Sequence, residues 1–117
     1  ILVELIGDSV TSPVPVSSTQ AQNLLQRLRG WSLLQGLRGQ PAADVEALVD
    51  LIVAVSRFAA ANANYLRSLD LNPVIVHPAG NGLTIADALI MSEIRSAESH
   101  ARSEHCPDQG ENNDRIC

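Results

Sequence analysis

Leu69-Asp70-Leu71-Asn72-Pro73-Val74-Ile75-Val76-His77, then Pro78-Ala79-Gly80-Asn81-Gly82, then Leu83-Thr84-Ile85-Ala86-Asp87-Ala88-Leu89-Ile90, is the stretch whose reading decides the fold. Two apolar runs on either side of a turn containing glycine predict a β-hairpin. Alternation along the first run places residues 70, 72, 74 and 76 on one side and 69, 71, 73 and 75 on the other. Asp70 and Asn72 then share a face that Leu69 and Leu71 do not. The antiparallel return brings Asp87 beside them, because residues directly opposite lie about 5 Å apart. Carboxylate and amide oxygens gathered in this way suit Mg²⁺, a hard cation that keeps several waters and is shared with substrate phosphates. Spacing alone leaves a second reading open, since Asp and Asn also terminate strands and cap turns.

The rest of the chain supplies what such a hairpin packs against. Ile1 to Ile6 is an apolar run broken only by Glu4 and closed by Gly7-Asp8, as in a half-buried strand. Pro13 and Pro15 exclude helix from the Ser- and Thr-rich segment that follows. Ser17 or Ser18 is placed to cap a helix whose apolar positions Ala21, Leu24, Leu25 and Leu28 follow the three-four spacing, with Arg27 and Arg29 in its last turn and Gly30 ending it. Trp31 is expected in the core or at a domain junction. A longer helix is predicted from Pro41 or Ala42 to about Asn62, with Val45, Leu48, Leu51, Ile52, Val55, Phe58 and Ala59 as its apolar stripe. Met91, Ile94 and Ala97 are spaced for a short amphipathic helix to about Arg102, and Ser103 to Cys117 has the composition of a disordered tail. The fold class expected is α+β: an antiparallel sheet made of the first strand and the hairpin, covered by two helices.

Composition bounds the function. The chain has 117 residues, one domain's worth, with 45% hydrophobic and only 3% aromatic residues, so Leu, Val, Ile and Ala must build the core. A net charge of −5 argues against nucleic acid or an anionic membrane as partner. No run of apolar residues is long enough to span a bilayer and the start lacks the basic region of a signal peptide, which leads us to expect a cytoplasmic location. His100, His105, Cys106 and Cys117 match no standard metal spacing.

Several of these motifs, in the same order, resemble the C-terminal part of the ATP-grasp domain of NDP-forming acyl-CoA synthetases, the relatives of the succinyl-CoA synthetase β subunit. They are Val3-Glu4-Leu5-Ile6-Gly7-Asp8, Leu28-Arg29-Gly30, Leu33-Leu34-Gln35-Gly36-Leu37-Arg38-Gly39 with Pro41, Ala43-Asp44-Val45-Glu46-Ala47-Leu48, Leu69 to Pro73, and Ile85-Ala86-Asp87-Ala88. The resemblance covers roughly residues 1 to 90 and leaves 91 to 117 as a tail. It implies that Asn72 and Asp87 ligate Mg²⁺, with Asp70 sharing a second ion or orienting a bound water. It also implies that Glu4 contacts the nucleotide or its metal, or else simply faces solvent from its strand. Arg38, held between two glycines, is a candidate phosphate or partner-domain contact, a plain surface loop being the alternative. Asp44 matches an acidic position of the family at a helix start, where capping accounts for it equally well.

The overall reaction implied joins a carboxylic acid and coenzyme A at the expense of ATP, through acyl phosphate and a phosphohistidine carried by another domain; His77 is not assigned that role. Family members hold ATP phosphates with lysines on the preceding subdomain, and all eight basic residues here are Arg. The chain therefore reads as an incomplete ATP-grasp domain that is inactive alone and packs on the rest of that domain or on a partner subunit. Other readings are a regulatory acyl-CoA synthetase-like region fused to a lysine acetyltransferase, and a subdomain used only for assembly.

Overall fold

A computed structural model describes residues 7–93. In chain order its elements are α1 (Ser18–Gln26), α2 (Trp31–Leu34), α3 (Val45–Ala61), β1 (Leu66–Leu71), β2 (Val74–Val76), β3 (Leu83–Ile85) and β4 (Ala88–Ser92). The expected first strand over 1–6, the helix beyond Ile94 and the polar tail lie outside the described residues.

Helix α1 begins where the Ser17 hydroxyl accepts from Gln20 N at 3.1 Å while the Gln20 side chain accepts from Ser17 N at 2.8 Å. This reciprocal capping box satisfies two N–H groups that a helix start leaves without partners. The helix ends at Gln26, so Arg27 is its C-cap and Arg29 lies beyond it, earlier than the spacing predicts. The cause is a distant carboxylate: Asp8 accepts from Arg29 N at 2.8 Å and Gly30 N at 2.9 Å, turning the chain into α2. Gly30 thus opens the next helix rather than closing the previous one. Trp31, first residue of α2, packs against the core as expected.

The core consists of Val16, Ala21, Leu25, Val49 and Val53, with Leu24, Leu28, Trp31, Leu34, Val45, Leu48 and Ile52 packed around it. The α1 stripe is the one predicted. On α3 the deepest positions are Val49, Val53 and Ser56 rather than the predicted stripe. The helix is apolar on more than one side, and such a helix is covered on more than one side. Its Val49–Val53 side meets α1, whereas Leu48, Leu51, Ile52, Val55 and Ala59 form one wall of a groove completed by Leu69, Leu71 and Val74 of the strands. Phe58 is 44% exposed, outside both contacts.

The four strands make one antiparallel ribbon in two segments. β1 pairs with β4 and β2 with β3, and the register Leu71↔Ala88, Val74↔Ile85 carries through the break between them. The hairpin is the one predicted, but it begins at Leu66 and runs to Ser92, so Met91 belongs to a strand and not to a helix. Every residue of β4 is exposed, including Leu89, Ile90 and Met91.

The simple alternation expected along the first strand does not hold. Leu66, Leu69 and Leu71 are the half-buried residues before the break, Val74 and Val76 after it. The backbone reports the same inversion: Asn72 N donates to Asp87 O at 3.1 Å and the next residue, Pro73, accepts through its carbonyl from Ala86 N at 3.0 Å. A regular antiparallel ladder bonds across at every second residue. The ribbon therefore turns over at Asn72-Pro73, whose peptide is cis. Both halves consequently show their aliphatic side to α3, and Asn72, Pro73, Ala86 and Asp87 are all left exposed.

Ser56, 4% exposed, accepts from Val16 N at 3.1 Å and donates to Val53 O at 2.8 Å, pinning the proline-rich segment to α3. Ser56→Ala is expected to destabilise the protein by about 1–3 kcal/mol, since it strands the Val16 amide without an acceptor. The gain in helix propensity, roughly 0.5 kcal/mol, is smaller. Urea unfolding checks this: an unchanged or higher midpoint would show that the Val16–Ser56 bond contributes nothing.

Candidate functional site

Asn72 and Asp87 meet at the break of the ribbon, where Asn72 N donates to Asp87 O at 3.1 Å. Asp70 lies two residues earlier on β1, opposite Leu89. All three are exposed, and none of them lines the groove between the ribbon and α3. Among the described residues, the Asp70 and Asn72 side chains take part in no hydrogen bond or ion pair. Asp87 accepts through Oδ1 from its neighbouring amide, Ala88 N, at 2.8 Å, which orients the carboxylate and leaves Oδ2 open.

This donor set is chemically a hard one, two carboxylates and an amide oxygen. Among the described residues no group of three or more His, Cys, Asp and Glu side chains is placed to hold a metal ion. An open half-set of oxygens fits an ion that retains waters and completes its shell with phosphate. Glu4, the other acidic candidate, lies outside the described residues.

Arg38 stands on a separate feature. Gln40 N donates to Leu37 O at 3.1 Å, closing a turn whose central residues Arg38 and Gly39 have φ of 54° and 76°. Two successive positive φ values define a type I′ turn, which lifts the exposed Arg38 to a loop tip. The loop folds back tightly, because Ala43 N donates to Leu34 O at 2.9 Å. Gly36, with φ of 86°, is needed there: a Cβ would sit 2.6 Å from Gln40 O and 3.0 Å from Ala42 N. Gln40, Pro41 and Ala43 share a hollow with Leu34, Val74 and Val76, on the inward side of the ribbon. The described residues therefore do not join Arg38 to the Asn72–Asp87 pair.

Two carboxylates that spacing marked only as a strand end and a helix cap turn out to be long-range clasps. Asp8 holds the α1–α2 corner as described above. Asp44 accepts through Oδ1 from Ala47 N at 3.0 Å, capping α3, and through Oδ2 from Gly80 N at 3.1 Å and Gly82 N at 2.8 Å in the hairpin turn. Its own amide donates to His77 O at 2.8 Å, and Ala79 N donates to Ala42 O at 2.9 Å. Gly80 and Gly82 have φ of 85° and 74°, a conformation that turns their amides inward at no steric cost to glycine. His77 Nε2 lies 2.7 Å from Thr84 Oγ1, so the lone histidine of the described residues is engaged within the hairpin.

The residues match known proteins in the following way. A family model described as an ATP-grasp domain matches residues 1–91. The β subunit of acetate–CoA ligase [ADP-forming] II from Pyrococcus furiosus is 33% identical over 91 residues, which are 78% of this chain and 39% of that subunit. Trans-feruloyl-CoA synthase FCS1, from an unknown prokaryotic organism, is 40% identical over 93 residues, 80% of this chain and 13% of that protein. Among solved structures, the dinucleotide-forming acetyl-coenzyme A synthetase 1 of Ca. Korarchaeum cryptofilum, in complex with coenzyme A and Mg-AMPPCP, superposes with a TM-score of 0.70 at 32% identity, over 80% of this chain and 42% of that one. The chain thus spans well under half the length of each relative named.

Amide donors to both clasping carboxylates hold the Asp8 and Asp44 pKa values below the ordinary one: Arg29 and Gly30 N–H groups for Asp8, those of Ala47, Gly82 and Gly80 for Asp44. In the unfolded chain these carboxyls protonate near the ordinary value, about 3.9, so as pH falls toward and through it the unfolded state binds more protons than the native one. Stability from the two clasps is therefore full above that pH and lost as pH drops through the lowered native values. The urea midpoint is expected to fall across this acid window, and Asp8→Asn and Asp44→Asn should each flatten the fall while lowering the midpoint at neutral pH. A wild-type slope retained in both variants would mean that other carboxyls dominate.

Proposed function

Because the chain belongs to the ATP-grasp family, we propose that it contributes Mg²⁺-ATP ligands to an ADP-forming acid–CoA ligase. One observation supports this reading: Asn72 and Asp87 are joined across the ribbon by a backbone bond of 3.1 Å and both are exposed, so two oxygen-bearing side chains arise from adjoining positions outside the core. In it, Asn72 and Asp87 hold the ion, and Asp70 orients a bound water or shares a second ion. The cation would supply charge neutralisation and alignment of phosphate oxygens, the main demands of phosphoryl transfer.

The chain's own residues have defined tasks in this scheme. Asp87 keeps one oxygen on Ala88 N and presents the other at a fixed angle. Asn72, bonded through its backbone to Asp87 O, would offer its amide oxygen from the adjoining position. Arg38, raised on its turn, is the candidate contact to a phosphate or to a neighbouring domain, and Glu4 is a further candidate contact to nucleotide. Activity resides in the complete protein, whose other segments bind the carboxylic acid and coenzyme A, and this chain packs on the rest of the ATP-grasp domain or on a partner subunit. The names of its relatives support that reading, as do the coenzyme A and Mg-AMPPCP bound in the complex of the archaeal synthetase. Among the described residues no helix is long and apolar enough to cross a membrane. We place the enzyme in the cytoplasm as part of the same reading.

The test is Asp87→Asn in the complete ligase. We expect kcat to fall about 100-fold or more, as for loss of a metal-ligand charge. The unfolding free energy should stay within about 0.5 kcal/mol of wild type, because the side chain's one bond is to its own neighbour. Full acid–CoA ligase activity in that variant, at unchanged Mg²⁺ dependence, would remove Asp87 from the site.

A further inference from the structure

We propose that Asp44 is a positioning residue for the metal pair: its second carboxylate oxygen, by holding Gly80 and Gly82, sets the direction in which the ribbon points. The inference rests on the Asn72–Asp87 reading above and extends it to a residue of another element.

The ribbon meets the helical part in two ways. Along its middle, Leu69, Leu71 and Val74 lie over α3 across an open apolar groove. Such contact is non-directional and permits the ribbon to roll. Directional bonds hold both ends: at the base Tyr65 N and Leu66 N donate to Asn62 O, the C-cap of α3, and at the tip Asp44 and Ala42 take up the turn through Gly80 N, Gly82 N, His77 O and Ala79 N. Asp44 is itself fixed, since its other oxygen caps Ala47 N at the start of the 17-residue helix α3. That one side chain therefore joins the start of the longest helix to the hairpin turn, alongside the backbone bonds from Asp44 N to His77 O and from Ala79 N to Ala42 O.

Leverage makes this matter for the site. Asn72 lies six positions beyond Leu66, about 20 Å along an extended chain at ~3.3 Å per residue. Released at its tip, the ribbon pivots on its base, and a swing of about 10° would move the pair by roughly 3 Å, whereas Mg²⁺ tolerates only ~0.2 Å in its ligand distances. Asn72 and Asp87 would move together, because the bond between them is internal to the ribbon. The pair itself survives such a swing; its alignment with phosphates held by the rest of the domain does not. Loss of the clasp should therefore raise the Mg²⁺-ATP concentration needed for half-saturation and spare kcat at saturation.

Three substitutions in the complete ligase separate this from a purely structural role. Asp44→Ser keeps a capping oxygen for Ala47 N and removes the oxygen that holds the two glycines. Gly80→Ala disfavours the positive φ of the turn and loosens the clasp from the other side, with α3 untouched. Asp44→Ala loses cap and clasp together. We expect the first two to raise half-saturating Mg²⁺-ATP about 10-fold, with kcat at saturation within about twofold and with faster amide exchange in residues 78–82. Asp44→Ala should add a lower unfolding midpoint but no further change in half-saturation. Wild-type half-saturation in both Asp44→Ser and Gly80→Ala, with residues 78–82 exchanging faster, would overturn the positioning role. If Asp87→Asn were also unchanged in the same assay, the metal reading itself would fall, so the two failures are distinguishable.

Discussion

A carboxylate has two oxygens, and at Asp44 they serve different halves of the molecule. Oδ1 closes the first turn of α3, and Oδ2 gathers two amides from a turn 36 and 38 residues further along the chain. The geometry works because Gly80 and Gly82 both take up positive φ, which points their N–H groups at a common acceptor. Charged acceptors make stronger hydrogen bonds than neutral ones, so a single side chain is enough to tie a two-stranded ribbon, marginal in isolation, to a helical body. Asp8 repeats the device at the other end, taking the amides of Arg29 and Gly30 and so stopping α1 one turn short.

Between these clasps, helix α3 is the shared wall. Val49 and Val53 pack toward α1, while Leu48, Leu51, Ile52 and Val55 turn toward the strands. The ribbon answers by inverting at Asn72-Pro73, so that Leu69 and Leu71 on one side of the break, Val74 and Val76 on the other, meet the same helix. The consequence for chemistry is that the residues at the inversion have no packing duty. Asn72 and Asp87 stand where the backbone is held by a cross-ribbon bond and the side chains are exposed.

Much of this was legible in the residues. The three-four spacing of Ala21, Leu24, Leu25 and Leu28 located α1, and Gly80 and Gly82 between apolar runs located the hairpin. The inversion was hidden because Leu69, Leu71, Val74 and Val76 are all aliphatic, so both parities read as buried and nothing marks the switch. The α3 stripe was read in part: Leu48, Leu51, Ile52, Val55 and Ala59 do face the strands, but Val49 and Val53, the side that meets α1, were missed because a helix apolar on two sides has no single stripe for periodicity to find. Asp44 was readable as a cap, since that partner is three residues away, but the glycine amides are not local and leave no pattern in the chain. The pairing of Asn72 with Asp87 followed from an antiparallel register, whereas their proposed role as ligands came from family resemblance and stands as a proposal.

Strand β4 carries one more implication. Ala88 to Ser92 is exposed along its whole length, with Leu89, Ile90 and Met91 each more than half accessible, and among the described residues it pairs on one edge alone. An apolar strand with an open row of backbone donors and acceptors is a template for other strands. Its one adjacent ion pair, Arg67 with Glu93 at 3.0 Å, sits at the far end and guards little of it. Taken away from whatever normally shields it, this segment makes the chain colloidally fragile: concentrated solutions will associate edge to edge before the helices unfold, and a charged residue placed at Leu89 or Met91 is the gatekeeper that would keep them clear.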